Sequence, residues 1–307
     1  MNQNIYDLLI IGAGPAGLSA GIYGSRAGLR CAIIEKGMPG GTIMLTDIIE
    51  NYPGFPEGIT GSQLAELMSR QCTRLGTEIL ANTEAKKVKA ESGLFHVVTD
   101  KAEYLARALI VATGSRAKRL NIPGEEKLIG RGVSYCATCD GPLFKNADIA
   151  IIGCGNSGLQ EGRFLHKFVR SITFVEFLPR PTADKILIDY FQGKANVQFF
   201  LGHELTEIIG ESAVEGIKIR DRTSGQESFI KVRGVFIYVG LIPNSQLVRD
   251  LVKTDTSGFI ITDEELNTSV SGIFAAGDVR SKKIRQVVVA CSEGAQAAIN
   301  AYHLLNP

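Results

Sequence analysis

The stretch YDLLIIGAGPAG, Tyr6 to Gly17, decides the fold of this 307-residue chain. Its first six residues form the largely apolar run expected of a strand buried on both faces of a parallel sheet. Three glycines follow at once, and Leu18 to Arg26 predicts a helix. A second predicted strand, Arg30 to Glu35, ends in an acid. Together these elements predict a βαβ unit of the kind that binds dinucleotides.

The same unit recurs from Asp148. The predicted elements are a strand (Asp148 to Ile152), the turn GCGNSG (Gly153 to Gly158), a helix (Leu159 to Val169) and a strand (Ser171 to Glu176). The first glycine and the terminal acid lie 23 positions apart in both copies, at residues 12 and 35 and at residues 153 and 176. The sequence therefore predicts an α/β fold with two doubly wound, Rossmann-like nucleotide-binding domains, the second inserted in the first.

The connecting segments suggest where the insertion begins and ends. The segment 119–128 (RLNIPGEEKL) has the Pro-Gly and charges of a linker, and 241–245 (LIPNS) is a candidate for the return. A further glycine-rich strand and turn, 272–279 (GIFAAGDV), precedes a predicted helix at 286–304. The predicted domains are 1–117, then 118–244, then 245–307 as the second part of the first domain.

Composition excludes several classes of protein. There are 33 Lys and Arg against 32 Asp and Glu, so the chain lacks the basic excess of a nucleic-acid binder. Glycines and a proline interrupt the most apolar stretch, which argues against a membrane span. Six cysteines are too few for a secreted disulfide framework, and the N-terminus lacks a signal-peptide pattern. A reducing cytoplasm is the predicted compartment.

The first glycine turn, with Pro15 and Ala16 inside it, meets every condition of a dinucleotide fingerprint. Gly12 allows the tight turn, Gly14 lets the backbone approach a diphosphate, and Gly17 lets helix and strand pack closely. The helix N-terminus offers free N–H groups to the diphosphate, and Glu35 can accept hydrogen bonds from ribose hydroxyls. The alternative is a glycine turn in an α/β fold that binds no nucleotide.

The second turn predicts a nicotinamide nucleotide site. Its glycines are Gly153, Gly155 and Gly158, with Asn156 and Ser157 between the last two. The acid at the strand end, residue Glu176, can bind the adenosine 2′-hydroxyl and would repel the 2′-phosphate of NADPH. Arg180 could offset part of this repulsion. NADH is therefore predicted over NADPH, and a degenerate site is the alternative.

The pair Cys136 and Cys139, in CATCD, is predicted to be the chemical centre. Structural zinc needs further ligands, but no second C-x-x-C exists and the four histidines are dispersed. Haem attachment needs a histidine where Asp140 stands. A redox-active dithiol remains, with Asp140 as a proton donor or acceptor, and two ordinary buried cysteines are the alternative. No metal site is predicted.

Two dinucleotide sites and one dithiol suggest an electron path. A nicotinamide would give a hydride to a flavin, and the flavin would reduce a disulfide. The first site would then hold FAD, and the second the nicotinamide nucleotide.

Further motifs carry a resemblance over essentially the whole chain. They are GGTIMLTDIIENYPGFP at 40–56, ATG at 112–114, CATCDGPLFK at 136–145, and GIFAAGDV at 272–279 with Arg285 and Gln286 beyond. With the two glycine turns, they make the chain similar to low-molecular-weight bacterial thioredoxin reductases and to the flavin domain of the alkyl hydroperoxide reductase flavoprotein subunit.

The resemblance implies roles for individual residues. Cys139 would be the sulfur nearest the flavin, Cys136 would attack the disulfide of a thioredoxin or thioredoxin-like partner, and Asp140 would handle the proton. The implied FAD contacts beyond the first turn are Gly40, Gly41, Asn51, Thr113, Gly114, Gly277, Asp278, Arg285, Gln286 and Val287. The resemblance also implies a homodimer and a rotation of the smaller domain.

Three departures from the family pattern bear on the nucleotide and the flavin. NADPH-dependent members carry a His-Arg-Arg cluster and a later Arg where this chain has Glu176, Phe177, Leu178 and Thr182, and EFLPRPTAD is more similar to the NADH-using flavoprotein. Those members often have Ala at the position of Gly158. Thr42 replaces a usual Gln. The chain begins on its first strand, without a thioredoxin-like module, so a separate partner protein is expected.

Other functions remain open at this point. One is a ferredoxin-dependent flavin thioredoxin reductase, and another is a flavoprotein reductase that feeds a peroxiredoxin system. A third is a flavin-binding sensor or scaffold without turnover. The remaining cysteines are predicted to be packing residues, with the last of them nearest the proposed flavin helix: Cys31, Cys72, Cys154 and Cys291.

Overall fold

The computed structural model describes residues 5–46, 49 and 51–306. It divides into two compact units, Met1–Arg116 with Ile242–Pro307, and Ala117–Leu241. The chain enters the second unit after Arg116, one residue before the predicted boundary. It returns to the first unit after Leu241, three residues earlier than predicted, because Asn244 hydrogen-bonds to Thr113 and Gly114 of the first unit. None of the helices in the described part of the chain qualifies as a membrane span by length and hydropathy.

The first unit is built on a mixed sheet in which the described strands follow the order β3-β2-β1-β6-β5-β4, with β17 also paired to β6. The strands are β1 (Ile5–Ile11), β2 (Cys31–Ile34), β3 (Glu78–Leu80), β4 (Ala85–Glu91), β5 (Leu94–Thr99), β6 (Glu103–Val111) and β17 (Ile273–Ala275). β1, β2, β3, β6 and β17 run parallel, and β4 and β5 add an antiparallel edge. β2 is fully buried, as the apolar sequence predicts.

Helices cover this sheet and point their N-termini at its carboxyl edge. They are α1 (Pro15–Arg26), α2 (Gly61–Arg74) and α6 (Val287–Leu305), with short 3₁₀ helices at Gly41–Leu45 and Gly277–Val279. α1 and α6 touch backbone to backbone, since a Cβ on Gly294 would lie 1.9 Å from the Ala16 carbonyl oxygen. Small residues on both helices therefore let the start of α1 pack closely against α6 at Gly294, the eighth residue of that helix.

The second unit has a parallel sheet of order β11-β10-β9-β15-β8 within the described residues. Its strands are β8 (Val133–Ser134), β9 (Asp148–Ile152), β10 (Ser171–Glu176), β11 (Val197–Leu201) and β15 (Gly234–Ile237). An antiparallel sheet adds β12 (His203–Ile209), β13 (Gly216–Asp221) and β14 (Glu227–Ile230). The helices are α3 (Ala137–Asp140), α4 (Asn156–Leu165) and α5 (Lys185–Phe191), with a 3₁₀ helix at Gly141–Phe144.

The two chain crossings pair with each other. β7 (Ser115–Ala117) and β16 (Leu241–Pro243) form a two-stranded ribbon. The predicted α/β class with two Rossmann-like domains is confirmed.

Two sequence predictions need correction. Both nucleotide helices begin three residues earlier than predicted, because Gly14 and Gly155 already act as N-caps, and the second ends at Leu165 rather than Val169. The segment 119–128 is not a loose linker. The carboxylate of Glu125, 2% exposed, accepts the Tyr135 hydroxyl at 2.7 Å and two amides of its own segment, so the segment packs within the second unit.

Candidate active site

The first glycines of the two dinucleotide turns have nearly the same backbone geometry. Gly12 has φ +104° and Gly153 has φ +103°, in the region that only glycine adopts without strain. A Cβ on either glycine would lie 2.4 Å from a carbonyl oxygen of the neighbouring strand's end, that of Ala112 or that of Tyr238. Each turn therefore requires glycine here for its conformation and for its close packing.

The third glycine of each turn packs the helix against the turn. A Cβ on Gly17 would lie 1.8 Å from the Gly12 carbonyl oxygen, and one on Gly158 would lie 2.0 Å from that of Gly153. An alanine at position 158 would therefore require the turn to open. Gly158 therefore fixes a tight version of the second turn.

The middle glycines leave the helix starts open. Gly14 and Gly155 are the N-caps of α1 and α4, and in the described structure neither helix has a side-chain cap or an acid in its first turn. A Cβ on Gly14 would have Gly41 Cα, 4.0 Å away, as its nearest described neighbour. The unpaired N–H groups and the helix dipole at such a start favour a diphosphate.

The acids at the strand ends anchor the turns. Glu35 accepts the amide N–H of Ala13 at 2.8 Å, and Glu176 accepts that of Cys154 at 2.5 Å. The second oxygen of Glu176 accepts the Leu178 amide at 2.9 Å. A carboxylate has about four lone-pair sites, so both acids can still accept ribose hydroxyls. The sequence predicted the ribose contact and missed this structural role.

Several further residues of the predicted flavin site gather around the first turn. Gly40 donates its amide to the Ala13 carbonyl at 2.8 Å, and a Cβ on Gly41 would lie 3.0 Å from Gly14 Cα. Asn51 donates to the side chain of Gln286 at 3.2 Å, just before Val287 begins α6. Asp47, Ile48 and Glu50, from the 40–56 motif, lie outside the described residues.

The 112–114 motif lies at the carboxyl end of β6 in the same unit. Thr113 donates its hydroxyl to the Asn244 carbonyl at 2.7 Å, and Gly114 accepts the Asn244 amide at 3.0 Å. Gly114 has φ +66°, a conformation that favours glycine.

A buried charge network supports Asp278. Glu293 accepts the Gly277 amide at 2.7 Å and lies 2.8 Å from an Arg280 nitrogen and 3.1 Å from Lys282 Nζ. Lys282 Nζ is also 3.2 Å from Asp278 Oδ1. No sequence motif predicted this network. The available signal was Glu293 itself, a lone charge in the small-residue run VVVACSEGAQAA.

One buried polar atom in this region, Arg285 Nε, has no hydrogen-bond partner among the described residues. Asp278 Oδ1 accepts no hydrogen bond of good geometry there, but its charge is paired with Lys282. Unsatisfied buried polar atoms are rare and costly, so Arg285 Nε needs an explanation. A buried donor left open beside a glycine turn and an uncapped helix fits a polar, phosphate-bearing cofactor such as FAD.

The cysteines of CATCD form a disulfide at the start of α3. Cys136 and Cys139 are joined, and Cys136 Sγ accepts the amide N–H of Cys139 at 3.2 Å. Ser134, 4% exposed at the end of β8, donates its hydroxyl to Asp140 Oδ2 at 2.5 Å and accepts the Cys136 amide at 3.1 Å. One hydroxyl thus ties the carboxylate to the first cysteine, a contact that sequence spacing alone did not indicate.

A half-buried tyrosine lies near both the second glycine turn and the disulfide helix. Tyr238 packs near Gly158 of the turn, and its hydroxyl lies beside the backbone of Ala137, the first residue of α3. Burial, with the carboxylates of Glu161 and Asp140 nearby, raises the pKa of Tyr238 well above its usual value. Burial also raises the pKa of Glu161. Neither group lies in a motif that predicted a role for it.

The four remaining cysteines are free, and three of them are buried. Burial raises the pKa of Cys31 to about 12 and raises the pKa of Cys72, Cys154 and Cys291. A thiol with a pKa of about 12 has roughly one thiolate in ten thousand molecules at pH 8. Because the thiolate is the reactive form, the three buried cysteines are expected to react slowly in the folded protein.

Alkylation of the reduced, folded protein at pH 8 is expected to label Cys136 and Cys139 and to spare Cys31, Cys72 and Cys154. Peptide mass spectrometry after iodoacetamide treatment measures this, and the unfolded protein, which should accept six labels, is the control. Labelling of the buried cysteines at the rate of the C-x-x-C pair would contradict the result.

The fold and the sites together define a class of protein. Each unit carries a dinucleotide turn with the same geometry, and the second unit also carries a disulfide at a helix start. This combination is that of a nucleotide-dependent disulfide oxidoreductase.

Comparison with known proteins identifies the family. The model of the pyridine nucleotide-disulphide oxidoreductase family matches residues 6–294, so the chain belongs to that family. A thioredoxin reductase of Listeria monocytogenes is 43% identical over 97% of this chain and 93% of its own length. A bifunctional thioredoxin reductase/thioredoxin of Mycobacterium leprae is 39% identical over 98% of this chain and 66% of its own length. The crystal structure of a thioredoxin reductase from Streptococcus pyogenes matches with a TM-score of 0.91 and 40% identity, over 99% of both chains.

These matches confirm the resemblance to low-molecular-weight bacterial thioredoxin reductases and an FAD-dependent oxidoreductase function. Membership implies FAD and a nicotinamide nucleotide as cofactors. The open first turn and the unsatisfied Arg285 Nε fit FAD in the first unit, and the second turn fits the nicotinamide nucleotide.

Proposed function

We propose that this chain passes electrons from NADH through FAD to the Cys136–Cys139 disulfide, and from there to the disulfide of a thioredoxin-like protein. The observation that carries the proposal is the disulfide at the start of α3, in the same unit as the second dinucleotide turn. Bound FAD would supply two-electron chemistry between nicotinamide and disulfide. The Mycobacterium leprae relative, whose name joins reductase and thioredoxin, supports the choice of partner.

Cys136 is the thiol that attacks the partner. Its thiolate displaces one sulfur of the partner's disulfide, so that a mixed disulfide forms and the other partner sulfur leaves as a thiolate. Cys139 then attacks the Cys136 sulfur, restores the intrachain disulfide and releases the second partner thiolate. Two electrons and two protons reach the partner. The Cys139 amide, donating to Cys136 Sγ, supports this role because hydrogen bonds favour the thiolate.

Asp140 holds the proton that these exchanges require. Its carboxylate is fixed by the Ser134 hydroxyl, which also contacts the Cys136 amide. This arrangement keeps an acid–base group next to the dithiol whichever sulfur is ionised.

The first unit is the FAD site in this proposal. The open helix start at Gly14 would take the diphosphate, Glu35 the adenosine ribose, and Asp278 the ribitol or diphosphate region. Gln286 and Val287, at the start of α6, would contact the pyrimidine end of the ring, where the helix dipole favours negative charge. The other assigned residues are Gly12, Pro15, Ala16, Gly17, Gly40, Gly41, Asn51, Thr113, Gly114, Gly277 and Arg285.

The second unit is the nicotinamide nucleotide site, and we assign it to NADH. Its assigned residues are Gly153, Gly155, Asn156, Ser157, Gly158, Glu176 and Arg180. Glu176 is 7% exposed and fixed by two amides, so its charge cannot move away from a ribose 2′-substituent. A 2′-phosphate would meet like charge, which disfavours binding. The homodimer and the cytoplasmic location stay predictions.

Anaerobic titration of the FAD-loaded protein is expected to bleach the flavin at roughly tenfold lower NADH than NADPH, about 1.4 kcal/mol of discrimination. Glu176→Gln removes the charge and keeps one of the two acceptor oxygens that bind the Cys154 and Leu178 amides, so the ratio is expected to fall toward one. Flavin absorbance is the measurement.

Equal or faster bleaching of the parent protein by NADPH would contradict the NADH assignment. Bleaching by reduced ferredoxin and by neither nucleotide would favour the ferredoxin-dependent alternative. The intact glycine turn around Gly155 argues against that outcome.

A further inference from the structure

A turn distant in sequence places a guanidinium beside the residue that follows Glu176. Arg222, between β13 and β14, stacks on the Phe177 ring with its guanidinium carbon 3.6 Å from the ring centroid. It also donates to the Phe177 carbonyl at 3.2 Å. Arg222 therefore lies at the carboxyl end of β10, the strand whose acid is assigned to the adenosine ribose.

Backbone hydrogen bonds fix this turn in place. The Arg222 amide donates to the Gly202 carbonyl at 2.9 Å, and the Gly202 amide donates to the Leu178 carbonyl at 2.8 Å. Asp221 Oδ1 accepts the amides of Thr223 and Ser224 at 2.7 and 2.9 Å. The arginine is thus presented by a rigid turn that is attached to the segment after Glu176.

The guanidinium keeps donors for a ligand. An arginine side chain has five N–H donors in a planar fork, and in the described structure only the bond to Phe177 uses one of them. The side chain is exposed, and its contact with the ring limits its freedom to turn away. Such a fork is suited to a phosphate.

We propose that Arg222 contacts the 2′-substituent of the adenosine ribose and donates hydrogen bonds to the 2′-phosphate when NADPH occupies the site. The inference rests on the proposed nucleotide role of the second unit. Glu176 disfavours the 2′-phosphate and Arg222 favours it, so the balance of the two sets the preference between NADH and NADPH. Arg180, the candidate that sequence proximity suggested, is exposed, whereas Arg222 is held against Phe177 by a ring contact and a hydrogen bond.

Calorimetric binding of 5′-ADP and 2′,5′-ADP to the FAD-loaded protein tests the proposal. Arg222→Gln is expected to raise the Kd of 2′,5′-ADP about tenfold and to change that of 5′-ADP by less than about twofold. Arg222→Lys keeps the charge without the fork and is expected to lie between Arg222→Gln and the parent. Arg233→Gln, which removes an exposed charge elsewhere in the unit, is the matched control and should leave both constants unchanged.

Several outcomes would overturn the proposal. If Arg222→Gln raised the Kd of both ligands equally, Arg222 would contact the adenine that they share and not the 2′-phosphate. If it raised neither Kd, Arg222 would only pack on Phe177. The full effect in Arg180→Gln would transfer the role to that residue. If the parent protein bound neither ligand, the proposed nucleotide site itself would be wrong. That result differs from binding of both ligands with equal affinity, which would contradict only the role of Arg222.

Discussion

Cys136→Ser is expected to lower the rate of NADH-driven reduction of a thioredoxin-like protein by at least about a thousandfold, because a hydroxyl cannot replace the attacking thiolate. The FAD content and the thermal midpoint should stay near those of the parent, since the disulfide lies in the second unit and the flavin site in the first. A coupled assay of partner thiols, with flavin absorbance on the same samples, measures both effects.

Cys139→Ser is the matched variant and should behave differently in one respect. It keeps the Cys136 thiol but removes the sulfur that resolves the mixed disulfide, so a covalent adduct with the partner should accumulate. Cys291→Ser, which changes a half-buried free cysteine, should retain activity within about twofold. An adduct that forms with Cys136→Ser and not with Cys139→Ser would reverse the two assignments.

Gly14→Ala is expected to give a folded protein with roughly a hundredfold weaker FAD affinity, a loss of about 2.7 kcal/mol. The added methyl meets no described atom of the chain nearer than 4.0 Å, and Gly14 has φ −72°, which alanine adopts readily. The methyl would stand where a diphosphate must approach the backbone. FAD binding to the apoprotein, followed by fluorescence, and circular dichroism of the same protein are the measurements.

Gly17→Ala provides the contrast within the same turn. Its methyl would lie 1.8 Å from the Gly12 carbonyl oxygen, so the turn must open and the apoprotein should lose thermal stability. The two variants thus separate cofactor approach from folding. A stable Gly17→Ala protein would contradict the packing role of Gly17. An unstable Gly14→Ala protein would contradict the assignment of Gly14 to cofactor approach alone.

The sequence was sufficient wherever function depends on local backbone geometry. The glycine turns, the acids 23 positions beyond their first glycines and the C-x-x-C pair are short motifs whose spacing carries their chemistry. They predicted the two glycine turns and the cysteine pair, whose geometry the structure shows, and the predicted fold class followed from the buried strands that precede them. Helix starts were predicted late because Gly14 and Gly155 serve as caps as well as ligand-facing residues.

The sequence was insufficient wherever a contact joins distant elements. Ser134, at the end of β8, donates to Asp140 in α3, and Glu293, inside α6, accepts the amide of Gly277, 16 residues earlier in the chain. Arg222 reaches Phe177 through a hairpin 45 residues further along the chain. No periodicity or motif encodes these pairs, since they depend on how the strands are arranged in space.

The ribbon formed by β7 and β16 has a consequence for how this molecule can be re-engineered. At the end of the ribbon next to the inserted segment, the Lys118 amide donates to the Gly240 carbonyl at 2.9 Å. At the other end, the Asn244 amide donates to the Gly114 carbonyl at 3.0 Å. The entry and exit of the inserted segment are therefore a strand spacing apart, about 5 Å. A cassette with such adjacent ends can be excised and replaced by a short turn, or exchanged for another module, without stretching the sheet that remains.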